Sequence, residues 1–578
     1  MARKPTQIFS FSKLSFSSGL SLLIFIVLLP AENAPSKSAL QFFVDELPIP
    51  PVIRASGPPR SSARSSARSS AGSGAAPVEV IMTLNSFTTK IHRDLPEVSQ
   101  FGYNGSAPGP TIEVEKGQPV RVHWRNSLPS AHLFKATKPM EMGGERLCNG
   151  GPDIRNVTHL HGAIVSQPLL LLPQNENVPA QTDNDGWPDA WNTPGQEQIA
   201  NYPNEQSART LWYHDHAAGT TGRNVAAGLV GLYIIHDDYE RSLNLPQGPY
   251  DVPLALQALG VGNSSLYYTE DLSQEFYGNT VAVNGKLWPY MNVEPRKYRF
   301  RLVDVSNARS YGLKLVGTDQ KTPGPAFYQI GSDAGFLENT AILNDPANPQ
   351  SPELTIAPGE RADLIIDFAK YAGQTFLLRN DNRDGKDGEI AVPWIMQFRV
   401  GQTVSQPDLS SLPMKMKEIP RLKESEAAQT RQIVLEQKTM DNGQLMLLLN
   451  GKYWKDEISE FPVLGTTEVW NLVNTTQDMH PFHVHLVQFQ VLDRTPFDVE
   501  RFQKTGEVDP LCPKGEAPCT QPAPPNEMGW KDVVQVDPGT VTRIIMKFSP
   551  YPGYYVYHCH ILEHEDMDMM RPFRVIEK

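Results

Sequence analysis

Fourteen residues, Tyr557-His558-Cys559-His560-Ile561-Leu562-Glu563-His564-Glu565-Asp566-Met567-Asp568-Met569-Met570, constrain this chain more than any other stretch. An extended backbone turns successive side chains to opposite faces, so a strand through Tyr557 to His560 sends Cys559 one way and His558 and His560 the other. A thiolate with imidazole donors and a weak axial thioether is the trigonal set of a blue copper site, and His564 and Met569 follow five and ten residues after Cys559. The paired imidazoles opposite are borderline donors that also suit copper. One short strand therefore serves two metal sites and joins them covalently.

Three further clusters complete the pattern: His159-Leu160-His161, His214-Asp215-His216 and His480-Pro481-Phe482-His483-Val484-His485. With His558, His560 and His564 they hold ten of the fourteen histidines. A single His-x-His pair is usually two solvated strand histidines; four clusters with a cysteine inside the last point to metal. His92, His123, His132 and His236 have no partner at ligand spacing and read as structural or surface residues.

From about residue 80 onward the chain resembles the multicopper oxidases, and within them the bacterial spore-coat laccase and bilirubin oxidase branch; the WYHDH, HPFHVHL and HCHILEHED-x-DMMRP stretches carry the likeness. The resemblance implies four copper ions: one type 1, one type 2 and two type 3. Carried over by position, His480, Cys559 and His564 hold the type 1 copper with Met569 axial, and His159 and His483 the type 2 copper. His161, His214, His216, His485, His558 and His560 hold the type 3 pair. Glu565 and Asp185 match acids that deliver protons to the oxygen cluster. Between His161 and Asp185, around LLLLPQNENVPA, the chain has some fifteen residues more than such relatives. The implied activity couples four one-electron oxidations of a donor to reduction of dioxygen to water.

The donor is expected to be organic: phenols, aromatic amines or bilirubin-like tetrapyrroles. The alternative is ferrous iron, because Glu275, Asp381 and Asp478 resemble carboxylates of plant-type ferroxidases in this branch, and hard oxygen donors suit Fe²⁺. A cuprous oxidase is not expected, since the sixteen methionines are scattered. A copper store or electron carrier needs only the type 1 site, and the full set of trinuclear ligands argues against it.

At 578 residues the chain predicts several domains. Fifty prolines and forty-two glycines favour a turn-rich, strand-rich protein, and a net charge of -12 argues against nucleic acid as a partner. Arg3, Lys4 and Lys13 precede an apolar run from Leu20 to Leu29, with small residues at Ala31 and Ala34. This reads as an export signal over 1–34, too short for a stable membrane span, which needs about 20 apolar residues. Residues 35–77, with RSSA three times from Arg60, read as a low-complexity spacer. Cys512 and Cys519 are placed to close a small disulfide in an oxidising compartment, and Cys148 has no obvious partner. The expected protein is an exported monomer.

Asn-Gly dipeptides at 104–105, 284–285 and 450–451 mark tight turns, each followed by a β-rich segment ending at Asn126, Asn307 and Asn474, 21, 22 and 23 residues after the glycine. Near-equal intervals predict one all-β architecture used three times, each unit a Greek-key sandwich. The resemblance names these as cupredoxin-like domains, at 78–240, 241–404 and 431–578, with a linker at 405–430. The strand-end position carries His214 and His216 in the first unit and His558, Cys559 and His560 in the third. In the second it carries Arg379, Asn380 and Asp381. The middle unit is therefore expected to lack copper ligands and to hold the outer two at a fixed angle.

Overall fold

Alternating burial shows how the strands arise. In Val78–Thr89, Val80, Met82 and Leu84 point inward while Glu79, Ile81 and Thr83 between them do not, the pattern of a sheet with one wet face. Arg209–Asp215 is buried along its whole length, because it lies inside its sheet with another body of protein across it. The computed structural model describes residues 40–55, 76–135, 141–142, 145–146, 152–167, 183–269, 274–382, 392–439, 445–512 and 519–578. The export signal, Cys148 and the extra segment near 169–180 lie outside them. Among the described residues no helix is long and apolar enough to cross a membrane.

Apart from a two-stranded ribbon at 141–146, the strands form three pairs of sheets. The first pair, over residues 52–236, ends with Thr158–His161 at the edge of its five-stranded sheet, beside Arg209–Asp215. The second lies within 251–400. The third, within 427–575, contains a four-stranded sheet in the order Val533–Val536, His480–Val484, Gly553–Cys559 and Met570–Val575. Aromatic rings bridge the two layers of each pair: Trp124 to Tyr213 at 5.1 Å, Phe300 to Phe398 at 5.3 Å, and Trp470 to Tyr557 at 5.2 Å between centroids. Each fully buried large apolar side chain contributes roughly 1.5–3 kcal/mol. One apolar core runs through both outer sandwiches, whereas the middle one has its own.

All three Asn-Gly turns have both residues in the left-handed region, with φ of 52° and 77°, 50° and 84°, and 55° and 65°. The same hydrogen bond recurs at each, from the backbone N–H of Thr83, Ala255 and Val434 to the side-chain oxygen of Asn104, Asn284 and Asn450. The residue that closes the segment after the Asn-Gly turn differs from expectation in the middle unit. Asn126 and Asn474 each accept from the N–H two residues on; there the residue that does so is Asp304, which ends its strand and accepts from Ser306. Asn307 instead turns toward Gly222 and Glu563 of the outer sandwiches.

The spacer boundary is also corrected. Residues 40–55 are ordered: Phe43 N–H donates to Trp288 O, Leu47 N–H donates to Tyr290 O, and Val52–Ala55 pairs parallel with Gly109–Glu115. Leu40, Phe42, Phe43, Leu47 and Ile53 give this segment the apolar side chains that the RSSA tract, outside the described residues, lacks.

Candidate metal centre

Two pairs of antiparallel strands carry the histidines. Thr158–His161 runs beside Arg209–Asp215 with His159 opposite His214, and His480–Val484 runs beside Gly553–Cys559 with His483 opposite His558. The pairs meet face to face. His161 stacks on His483 with centroids 3.7 Å apart, and His159 on His485 at 3.9 Å. Across the seam His161 Nδ1 lies 3.2 Å from His560 Nε2 and His216 Nε2 lies 3.3 Å from His558 Nε2, which is also 3.3 Å from His485 Nε2 of its own sandwich. All eight imidazoles from the four His-x-His pairs are thus enclosed, every one buried.

Burial sets their protonation. It pushes His159, His161, His216, His483, His485 and His560 well below the ordinary imidazole value, and His214 down to about 3, so these rings stay neutral and keep a lone pair. The tautomer follows from the outer partners. Nδ1–H donates to a backbone carbonyl in His159 (Asp185 O, 2.5 Å), His214 (Asp215 O, 2.8 Å), His483 (Asp532 O, 2.7 Å) and His558 (Cys559 O, 3.0 Å), and to Asp185 Oδ2 in His485 (2.9 Å). Nε2 then faces inward. In His159, His214 and His483 that atom is buried without a hydrogen-bond partner, an arrangement costing roughly 1–3 kcal/mol per group that a bound cation relieves. His161 is reversed: its Nε2–H donates to Asp532 Oδ1 at 3.1 Å and its Nδ1 faces inward.

On the other face of Gly553–Cys559, Cys559 Sγ lies 3.4 Å from His480 Nδ1 and 3.6 Å from His564 Nδ1, and those nitrogens are 3.3 Å apart. Thr476 Oγ1 sits 2.7 Å from His480 Nε2, and Glu275 Oε1 lies 2.9 Å from His564 Nε2, so both rings keep Nδ1 for the sulfur side. Met569 is fully buried; its N–H donates to His564 O and its carbonyl accepts from Cys559 N–H, which ties it to two of the three donors. Burial pushes the Cys559 thiol well up, so the free chain holds S–H and a metal must displace that proton.

Of the expected acids, Asp185 holds His485 by its carboxylate and His159 by its carbonyl. Glu565 Oε2 lies 3.2 Å from His558 Nδ1, its Oε1 lies 3.6 Å from His216 Nε2, and Thr221 Oγ1–H donates to Oε1 at 3.1 Å. Glu275 and Asp478 lie beside the sulfur set, where desolvation first and then the Glu275 charge raise Asp478 above the usual carboxylate range. Asp381 is a correction: Arg379 and Lys314 engage both of its oxygens, which removes it as a donor to an outside cation.

Sequence reasoning missed Asp183, whose carboxylate gathers the N–H groups of Asp185, Gly186 and Trp187 and so fixes the Asp185 loop. It also missed Asp532, which reaches His161 by its side chain and His483 by its carbonyl. Neither stands at ligand spacing from a histidine, so no local signal marks them. The four remaining histidines are bonded elsewhere: His92 to Gln41, His123 to Glu79, His132 to Asn224 and His236 to Glu240. Cys512 and Cys519 form a disulfide.

A soft Cys-His₂ set with a buried thioether, joined through one strand to eight neutral imidazoles, defines a copper-dependent oxidoreductase. Family models described as multicopper oxidase match residues 426–578, and 88–137 with 175–240. The chain is 39% identical over 560 residues to a laccase from Bacillus subtilis (strain 168), covering 93% of this chain and 99% of that one. It is 32% identical to a bilirubin oxidase from Albifimbria verrucaria, covering 85% and 75%. The crystal structure of a laccase from Pediococcus acidilactici Pa5930 superposes with a TM-score of 0.68 at 27% identity, covering 93% and 95%. This chain belongs to the multicopper oxidase family, and its sandwiches are cupredoxin-like.

Proposed function

We propose that the protein is a laccase-like oxidase that binds four copper ions and passes electrons, one at a time, from an organic donor to dioxygen. His480, Cys559, His564 and Met569 would hold the type 1 ion, His159 and His483 the type 2 ion, and the other six imidazoles the type 3 pair. When bound, copper at the sulfur set supplies one-electron transfer, and with the three ions among the imidazoles it supplies the four electrons that take dioxygen to two waters. The observation that carries this reading is the shared strand. Cys559 on one face and His558 and His560 on the other are neighbours along the backbone, which gives an unbroken covalent path between the donor sets.

The remaining residues orient and supply protons. Asp185 fixes His159 and His485. Glu565 stands beside His216 and His558, with the Thr221 hydroxyl on its carboxylate, placed to hold a proton at Oε1 or Oε2 for the reaction. The working location we propose is outside the cytoplasm, which the Cys512–Cys519 disulfide supports. The working unit we propose is a monomer, since all twelve donors come from one chain.

A second reading, oxidation of Fe²⁺, is favoured by one observation: Glu275 and Asp478 put two carboxylates beside His564, at the edge of the sulfur set. Steady-state oxidation of a phenol and of Fe²⁺, measured in the parent and in Glu275→Ala with Asp478→Ala, separates the two. Phenol oxidation outrunning iron in the parent and surviving both substitutions is expected. Iron outrunning phenol, with selective loss of the iron activity in the variant, overturns the organic assignment.

A further inference from the structure

The middle sandwich does more than hold the outer two apart. Its turn from Ala357 to Arg361 enters the seam beside the imidazoles. Gly359 has a φ of 87°, and a Cβ there would come within 2.8 Å of the His560 ring and 3.1 Å of the His161 ring, so only glycine lets the turn lie against both. Two residues on, the buried Arg361 guanidinium forks onto Asp532, with Nη1 2.6 Å from Oδ1 and Nη2 2.5 Å from Oδ2. Its other N–H groups donate to Thr210 O in the first sandwich and to Gly359 O and Asp333 O in the second. All five donors are spent, on three sandwiches at once. Gly162, next to His161, leaves the room: a Cβ there would sit 2.6 Å from both Arg361 Nη2 and Asp532 Oδ2.

Asp532 in turn accepts from His161 Nε2–H through its side chain and from His483 Nδ1–H through its carbonyl. His161 is the imidazole whose ring is reversed, and the Asp532 carboxylate is what reverses it, by taking the Nε2 proton and leaving Nδ1 for the interior. A carboxylate buried in that position needs a matched cation, and the fork supplies it with fixed geometry. We infer that Arg361 of the middle sandwich is a positioning residue of the oxygen-reducing cluster, acting through Asp532 to set the tautomer of His161 and the orientation of His161 and His483. A sandwich that contributes none of the twelve proposed donors thereby governs the geometry of the donors of its neighbours.

This rests on the cluster assignment above, and the test separates the two. Copper per chain, the type 1 absorption, the type 2 electron paramagnetic resonance signal and the thermal midpoint of the metal-free chain are measured in the copper-loaded parent, Arg361→Gln, Arg361→Lys and Gln535→Leu. Gln535 donates to Glu360 across the same domain boundary without touching Asp532, so its replacement controls for loosened packing. Expected in Arg361→Gln is an undiminished type 1 band with copper at the cluster bound 10- to 100-fold more weakly and a shifted type 2 signal. Arg361→Lys, which restores charge but not the fork, should fall between Gln and the parent. A full copper complement with unshifted type 2 signal in Arg361→Gln overturns the inference, as does equal cluster loss in Gln535→Leu. If Arg361→Gln does not fold, Asp532→Asn takes its place with the same two outcomes. A parent that binds fewer than four coppers defeats the cluster assignment instead.

Discussion

Cys559 carries two duties at once: its sulfur closes a triangle with two nitrogens, and its backbone carries His558 and His560 on the opposite face. Replacing it with serine removes the soft donor but leaves the strand register, so Cys559→Ser should fold with a near-normal thermal midpoint, lose the intense blue absorption and lose oxidation of every donor. A retained blue band would place the type 1 site elsewhere. The choice of Met569 has its own test, because Met567 and Met569 are both buried and both donate their N–H to His564 O, and only Met569 also accepts from Cys559 N–H. Met569→Leu should keep copper, cost less than about 1.5 kcal/mol in stability as a volume-conserving change, and raise the reduction potential in a spectroelectrochemical titration. Met567→Leu should leave the potential in place; equal shifts in the two variants would defeat the choice of Met569. At this scale the sequence was most legible. The four His-x-His pairs and Cys559 could be read from soft and borderline ligand types at strand spacing, whereas the roles of His480, His564 and Met569 came from the family resemblance, since His564 lies on the short helix Leu562–Asp566. Asp381 could not be judged the same way, since whether a carboxylate is available depends on Arg379 and Lys314 reaching it.

Elements explain what local pattern left out. The Asn-Gly turns could be found without coordinates because type I′ geometry demands those residues. The segment 40–55 escaped because its strand is short and pairs with residues 109–115, far along the chain. Asn307 was taken for the strand end because it lies only three residues beyond Asp304, the residue that ends the strand and accepts from Ser306 N–H. The helix Thr221–Ala227 shows a further tie that depends on pH. His132 donates Nε2–H to Asn224 Oδ1 on that helix at 3.1 Å, and its Nδ1 accepts from Phe134 N–H at 3.0 Å, so both nitrogens are committed in the neutral ring. Burial first, then the nearby Arg223 cation, push its pKa down to about 3 from 6.5. Between those values the unfolded chain holds a proton there that the folded chain does not. The contribution of neutral His132 is therefore complete above about pH 6.5 and is lost progressively as pH falls toward 3. Urea midpoints of the metal-free parent should drop more steeply from pH 7 to pH 4 than those of His132→Gln. Parallel slopes would show that His132 does not contribute.

On the scale of the molecule, two sandwiches share one apolar core and a third sits against them with its own. The histidines lie on the seam of the first two, and the reciprocal stacking of His161 on His483 and of His159 on His485 is where they touch. Metal bound there would clamp the seam and favour the folded chain, so its removal by a chelator should lower the thermal midpoint while leaving the far-ultraviolet circular dichroism of the sheets intact. Free copper at 100 times its dissociation constant is worth about 2.7 kcal/mol by mass action, and a midpoint unmoved by copper would rule out the clamp. That the 159/161 and 483/485 pairs converge was legible only through the family resemblance, because no local rule brings together residues more than three hundred positions apart. The role of Arg361 was not legible at all, since it depends on a turn of one sandwich entering the seam between two others. The division of the donors makes the chamber a joint product. Four of its eight imidazoles (His159, His161, His214 and His216) come from one outer sandwich and four (His483, His485, His558 and His560) from the other, so neither sandwich encloses it alone.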